Sequence, residues 1–181
     1  MPTAKDLISE LTEDHRRIDG LCQLIQSTPW GDPRRKRAVG SITAELARHA
    51  EAESRFLYPA VRRRVPGGRD LAADGLAEHV RIGHCLTDLA EHEPDDAQFD
   101  LLVTRLVFEA HEHAAAQERE LFPHLAAAAG AGELPALAES LRAARRPAAL
   151  GRGVQQPEPG PMERSLSGGR ALTPYGAAVR G

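Results

Sequence analysis

A shift of 64 residues lays the first half of the chain on the second. His15 falls on His79, His49 on His113, and the pair Tyr58-Pro59 on Phe122-Pro123. Arg17 meets Arg81, Ile18 meets Ile82, Glu45 meets Glu109, Arg55 meets Arg119 and Leu57 meets Leu121 under the same shift. Self-similarity at one fixed period marks a supersecondary unit that is used more than once. Whatever this chain of 181 residues folds into must hold two copies of one unit in equivalent surroundings.

The unit is a helical hairpin. From about Ala4 to Ser27, Leu7, Ile8, Leu11, Ile18, Leu21, Leu24 and Ile25 recur every three or four residues, the period of one helix face. Thr28 to Pro33 reads as a loop, with Asp32 placed to cap a second helix and Pro33 at its first position. That helix carries Val39, Ile42, Leu46, His49, Glu53, Phe56 and Leu57 and runs to about Arg64, before Pro66-Gly67-Gly68. A third helix is expected from about Leu71 to Glu93. A fourth starts at Asp95 or Asp96 and fades through an alanine run into Gly130, and a short one follows over Leu134 to Arg145. Aromatic residues are only 4% of the chain, so the core must be built from aliphatic side chains, as in helical bundles. The expected fold is all-α: an up-down antiparallel four-helix bundle over residues 1–130, a helical extension over 131–146, and a disordered tail over 147–181. In the tail, Gly, Pro, Ser and Arg replace the apolar stripe, leaving too little surface to bury.

Composition removes several function classes. The net charge is -3, which argues against a dedicated nucleic-acid binder. Two cysteines, Cys22 and Cys85, allow no disulfide framework and no cysteine-rich zinc site, and both read as core residues. The charged N-terminal segment does not look like a signal peptide, and no apolar run could span a bilayer. A cytoplasmic protein is the expectation.

The unusual feature is the set of eight histidines. His15, His49, His79 and His113 lie one to each helix, beside its apolar stripe. Four inward imidazoles are costly to bury unless they share a partner, and a metal ion is such a partner. Glu53, four residues past His49, lies about 40° away around the helix, so both side chains can reach one centre. Imidazoles with a carboxylate suit iron or manganese better than a thiolate-rich zinc site does.

These residues carry a resemblance. Glu13-Asp14-His15-Arg16-Arg17-Ile18-Asp19, Leu46-Ala47-Arg48-His49-Ala50-Glu51-Ala52-Glu53 and Leu57-Tyr58-Pro59 resemble the hemerythrin-like, or HHE cation-binding, domain. Glu78-His79-Val80-Arg81-Ile82, His113 and Leu121-Phe122-Pro123 are similar to the same pattern, and together the likeness covers about residues 4–128. It implies a bundle around two non-haem iron ions bridged by oxo or hydroxo, with His15, His49, His79 and His113 as nitrogen ligands and Glu53 as a bridging carboxylate. It further implies dioxygen, peroxide or nitric oxide as the small ligand, or a response to iron.

The chain departs from the pattern at Gln117, which stands where the repeat would put a second Glu53 and is a poor, uncharged ligand. Glu118 follows, and the family contains ligand pairs with its five-residue separation from His113, so the resemblance assigns the second carboxylate to Glu118. At about 140° from His113 on an ideal helix, Glu118 would need a local distortion such as a π-bulge. Oxygen-binding members carry two histidines four residues apart on the third helix. Here the fourth position after His79 is Gly83, and His84, one further, is either a fifth nitrogen ligand or a neighbour of the site. His111 reads as a surface or helix-contact residue, and His92 and His124 as helix-end charges. Tyr58 reads as packing beside a proline bend, or more sharply as a radical or a hydrogen-bonding group to bound oxygen. A histidine-rich set favours a protein that binds or senses its small ligand. The alternatives are a di-iron enzyme, such as a catalase-like scavenger or an oxidase, and a metal-free scaffold.

Overall fold

The computed structural model describes residues 5–146. The expected tail over 147–181 lies outside the described residues. The described chain is helical throughout, in five rods.

Helix α1 spans Leu7–Ser27, capped by Asp6, whose carboxylate accepts from the Ser9 backbone N–H at 2.8 Å. Helix α2 spans Arg34–Ala52, one residue later than the expected start. Asp32 still serves this end, because its Oδ1 accepts from the Arg34 backbone N–H at 2.8 Å. The α2 rod continues through a π-helical turn, Glu53–Leu57, into α3, Tyr58–Arg64. Helix α4 spans Gly68–Glu91, starting three residues earlier than expected. Gly67 takes a left-handed conformation (φ 70°) that closes the preceding turn and lets Gly68 begin the helix. Helix α5 spans Ala97–Ala116, capped by Asp96, and passes through a second π-helical turn, Gln117–Leu121, into α6, Phe122–Ala128. Helix α7, Glu133–Arg145, packs on α1 with Leu134 and Leu141 buried.

The two π turns have one cause. Pro59 and Pro123 lack an N–H, and a proline ring inside an α-helix collides with the carbonyl four residues before it. One extra residue per turn relieves both problems. The N–H before each proline then reaches back five residues, Tyr58 to the Glu53 carbonyl and Phe122 to the Gln117 carbonyl.

Helix α1 packs on α2 and α5, and α4 packs on α5 and α2. Two apolar clusters fill the interior. One holds Ile18, Ile25, Ile42, Leu46, Leu89, Phe99 and Leu106. The other holds Leu7, Leu11, Leu57, Tyr58, Val61, Leu125 and Leu141. On α1, His15 lies between Leu11 of the second cluster and Ile18 of the first; on α2, His49 lies between Leu46 of the first and Ala52 of the second. His79 repeats that alternation on α4, and His113 repeats it along the rod that α5 forms with the π turn and α6. The histidines therefore form a polar layer between two greasy ones. Cys22 and Cys85 are buried in the first cluster as expected, and burial pushes the Cys22 thiol up to about 11.

Helix α4 lies close to Tyr58 because of Gly75, where an added Cβ would stand 2.4 Å from the Tyr58 hydroxyl oxygen. Alanine normally favours a helix interior by about 1 kcal/mol over glycine. Gly20, with no atom within 4 Å of an added Cβ, should show that gain when replaced by alanine. Gly75→Ala should instead lose about 1–3 kcal/mol through overpacking. Urea unfolding of the two variants checks the opposite signs.

Candidate metal centre

Glu53 opens the first π turn and is fully buried, with 0% of its surface exposed. Its Oε1 lies 3.1 Å from Nε2 of His49, and its Oε2 lies 2.9 Å from Nε2 of His79 and 3.4 Å from Nε2 of His113. His15 completes the ring of imidazoles, its centroid 4.8 Å from that of His49. His15, His49, Glu53 and His113 each offer one donor atom, and these four atoms lie within 4.8 Å of one another. Four rods thus deliver one imidazole each to one carboxylate.

Acids stand behind the outward ring nitrogens of His113 and His49. Glu78 Oε2 stands 2.8 Å from Nδ1 of His113, and Asp14 Oδ2 stands 3.5 Å from Nδ1 of His49. Asp14 and Glu78 are 64 residues apart, as are the histidines they face. Arg17 pairs with Asp14 and with Glu45, and Arg81 pairs with Glu78 and Glu109, so the repeat extends into the supporting shell. Such outer carboxylates orient a ligating imidazole and raise its basicity. The sequence signal for them is the acid immediately before His15 and before His79, a signal read only as part of a motif and not for its role.

Beside the carboxylate the two halves differ at two matched positions, Glu53 against Gln117 and Tyr58 against Phe122. The Tyr58 hydroxyl donates to Glu53 Oε2 at 2.8 Å, and Tyr58 faces His79 at 5.7 Å between ring centroids. In the other half Phe122 stacks on His15 at 5.8 Å, and Gln117 replaces the glutamate. Gln117 is buried, and its Nε2 donates to the Tyr58 hydroxyl at 3.3 Å.

Glu118 does not stand beside Glu53. A π-helical turn is present where the sequence required a distortion, yet it turns Gln117 inward and leaves the Glu118 side chain 40% exposed. Glu118 Oε1 lies 2.8 Å from Nδ1 of His15, on the outer face of that ring. His84 is exposed on α4 and lies outside the cluster. Its position, five residues past His79, is about 140° around the helix, and Gly83 occupies the inward place. His111 pairs with Asp19 at 2.8 Å on the surface, and His92 pairs with Asp96 at a helix end.

The charges are coupled. Burial pushes the Glu53 carboxyl up, but His49, His113 and His79 outweigh it and hold the group well below the ordinary carboxylate range. Burial also disfavours charge on His49, yet Glu53 and Asp14 raise that imidazole to about 9. His15 moves the other way, to about 4, through burial and the nearness of His49. Among the described residues, His15 Nε2 and Gln117 Oε1 are buried without a hydrogen-bond partner, and the close approaches of His79 Nε2 and Glu53 Oε1 lack hydrogen-bond alignment. Unpaired buried donors and acceptors are costly, and their convergence is the property expected of a cation site with nitrogen and oxygen ligands. The donor set fits a metal.

Comparison with known proteins agrees with this geometry. The model of the hemerythrin HHE cation-binding domain matches residues 6–125. The fold is similar to the crystal structure of a hemerythrin HHE cation-binding domain-containing protein from Mycobacterium kansasii. That protein is 23% identical, with a TM-score of 0.68 over 77% of this chain and 85% of that one. A search of curated proteins finds no match. With most of the folded part matched and a buried His/Glu cluster at its centre, this chain belongs to the hemerythrin HHE cation-binding domain family.

Proposed function

We propose that the chain holds two non-haem iron ions through His15, His49, Glu53, His79 and His113, with Glu118 turning inward from the outer nitrogen of His15 to serve as the second carboxylate, and that this centre binds or senses dioxygen, peroxide, nitric oxide or iron. The observation that carries the reading is the convergence of four buried imidazoles on one buried carboxylate, with unpaired donors facing inward. The alternation of each rod between the two apolar clusters supports an up-down antiparallel bundle as its frame. Among the described residues no helix is long and apolar enough to cross a membrane.

In the bound state iron would supply the open coordination position and the redox capacity. The chain's own residues do the rest. Glu78 holds the outer nitrogen of His113 by a hydrogen bond, and the Asp14 charge lies 3.5 Å from that of His49, so that their Nε2 atoms face Glu53. Tyr58 donates to the Glu53 oxygen that does not face His49, and Leu46, Ile82 and Ala110 give the layer buried apolar neighbours.

The metal-free centre is an ion pair of protonated His49 with ionised Glu53. A ligating imidazole must be neutral, so loading displaces that proton. His49 titrates at about 9 against an ordinary 6.5. Its raised value stabilises the metal-free fold fully below pH 6.5, and that contribution is lost as pH rises through 9. Iron affinity should run the opposite way, rising with pH toward 9. Calorimetric titration with ferrous iron at pH 7, in buffers of different ionisation enthalpy, should show proton release, reduced in Glu53→Gln.

Aerobically purified wild type should contain two irons per chain with near-ultraviolet ligand-to-metal charge-transfer bands, and His49→Ala should lose both. Glu118→Ala should lose one iron. If that variant keeps both, Glu118 serves only to orient His15. One metal or none in the wild type would overturn the dinuclear reading.

Tyr58 favours a second reading, an enzyme that consumes peroxide. Its hydroxyl is buried against Glu53, and burial together with the Glu53 charge holds it far above the ordinary phenol range. It thus stays protonated as a donor at the centre. Under this reading the iron-loaded protein decomposes peroxide over many turnovers and Tyr58→Phe slows it. A single stoichiometric reaction returns the assignment to binding.

A further inference from the structure

The 64-residue repeat gives the bundle two equivalent sides, and they are not finished alike. The gap between α2 and α4 corresponds, under the shift, to the gap between α5 and α1. Both gaps contain a cavity that reaches the histidines. The α1/α5 cavity has a volume of about 350 Å³ and is spanned by the ion pair of Asp19 with His111, 2.8 Å long. Shifting by 64 residues carries those two positions to Gly83 and Ala47. Among the described residues no ion pair joins Gly83 and Ala47 across the second gap, and an added Cβ at Gly83 would have no atom within 4 Å. There the cavity grows to about 480 Å³.

The wall of the larger cavity is apolar. Thr43, Ala47, Thr87 and Ala90 are exposed at its mouth, and His49 and His113 are buried at its floor. The two threonine hydroxyls already donate within their own helices, Thr43 to the Val39 carbonyl at 2.8 Å and Thr87 to the Gly83 carbonyl at 3.0 Å. A charged guest would lose its hydration and find no partner along the way. The volume lies in the range of small-molecule pockets and far exceeds what a diatomic gas requires.

We propose that the α2/α4 cavity binds an uncharged, apolar organic molecule with its inner end against His79 and His49. The proposal takes the histidine cluster to be the metal centre described above, but binding in the cavity is read with and without metal.

The probe is N-phenyl-1-naphthylamine, uncharged and fluorescent in apolar surroundings, titrated into the full chain both metal-free and iron-loaded. Wild type should bind it saturably, with an emission shift to shorter wavelength. Gly83→Leu, which fills the cavity, should weaken binding by about tenfold or more, with an unchanged circular dichroism spectrum. Ala47→Leu on the facing helix should do the same, and serves where Gly83→Leu does not fold. The double variant Asp19→Gly/His111→Ala should bind as wild type does. The proposal is overturned by three results: no saturable binding to wild type, equal binding to both filled variants, or binding that depends on Asp19 and His111 instead. A chain that takes up no iron yet binds the probe in a Gly83-dependent way would overturn the metal reading and leave this one standing.

Discussion

The rest of the structure depends on one buried carboxylate. Glu53 has no exposed surface and touches three imidazoles and a phenol. An isolated charge in that place would be intolerable, and four imidazoles in an apolar interior would be little better. Each solves the other's problem. The histidine layer exists because an acid sits at its middle, and the acid stays ionised because the histidines surround it. Two apolar clusters on either side then supply the burial that holds the rods together without disturbing the layer.

The two-fold repeat is followed faithfully in the support and abandoned at the centre. Arg17, Asp14 and His49 in one half match Arg81, Glu78 and His113 in the other. Glu53 with Tyr58 becomes Gln117 with Phe122, so one half presents a charge and a hydroxyl where the other presents an amide and a bare ring. Helix α7 adds a further inequality. Its Arg145 pairs with Asp14 and so braces the acid behind His49, whereas no arginine from outside the bundle reaches Glu78 among the described residues.

Much of this was legible in the sequence, and what escaped did so for physical reasons. Helical period and breaker residues located the rods to within a few residues, because amphipathic stripes and Pro-Gly breaks act locally. The 64-residue shift singled out the four histidines, because equivalent places in a repeated unit need equivalent side chains. Glu53 followed from spacing along one helix. The inward turn of Gln117 did not follow, since a π turn changes the angular bookkeeping that spacing arguments use. The need for a distortion was visible at Glu118, but not which side chain it would bring in. His84 was one residue from the inward face, and one residue is about 100°. Asp14 and Glu78 act across helices, which no pattern within one helix reveals.

The π turns leave a further mark on this architecture. A straight helix ties every side chain along it to one angular phase, so that moving one residue's facing moves all of them. An inserted residue breaks that tie. Before the turn, α2 points His49 inward, with Glu53 opening the turn itself; after it, α3 points Tyr58, Ala60 and Val61 into the second cluster on a separate phase. Each long rod is thus two short rods sharing an axis but not a stripe. The packing at one end can drift through substitution while the aim of the ligands at the other is kept, and only a change in chain length inside the turn itself would couple the two.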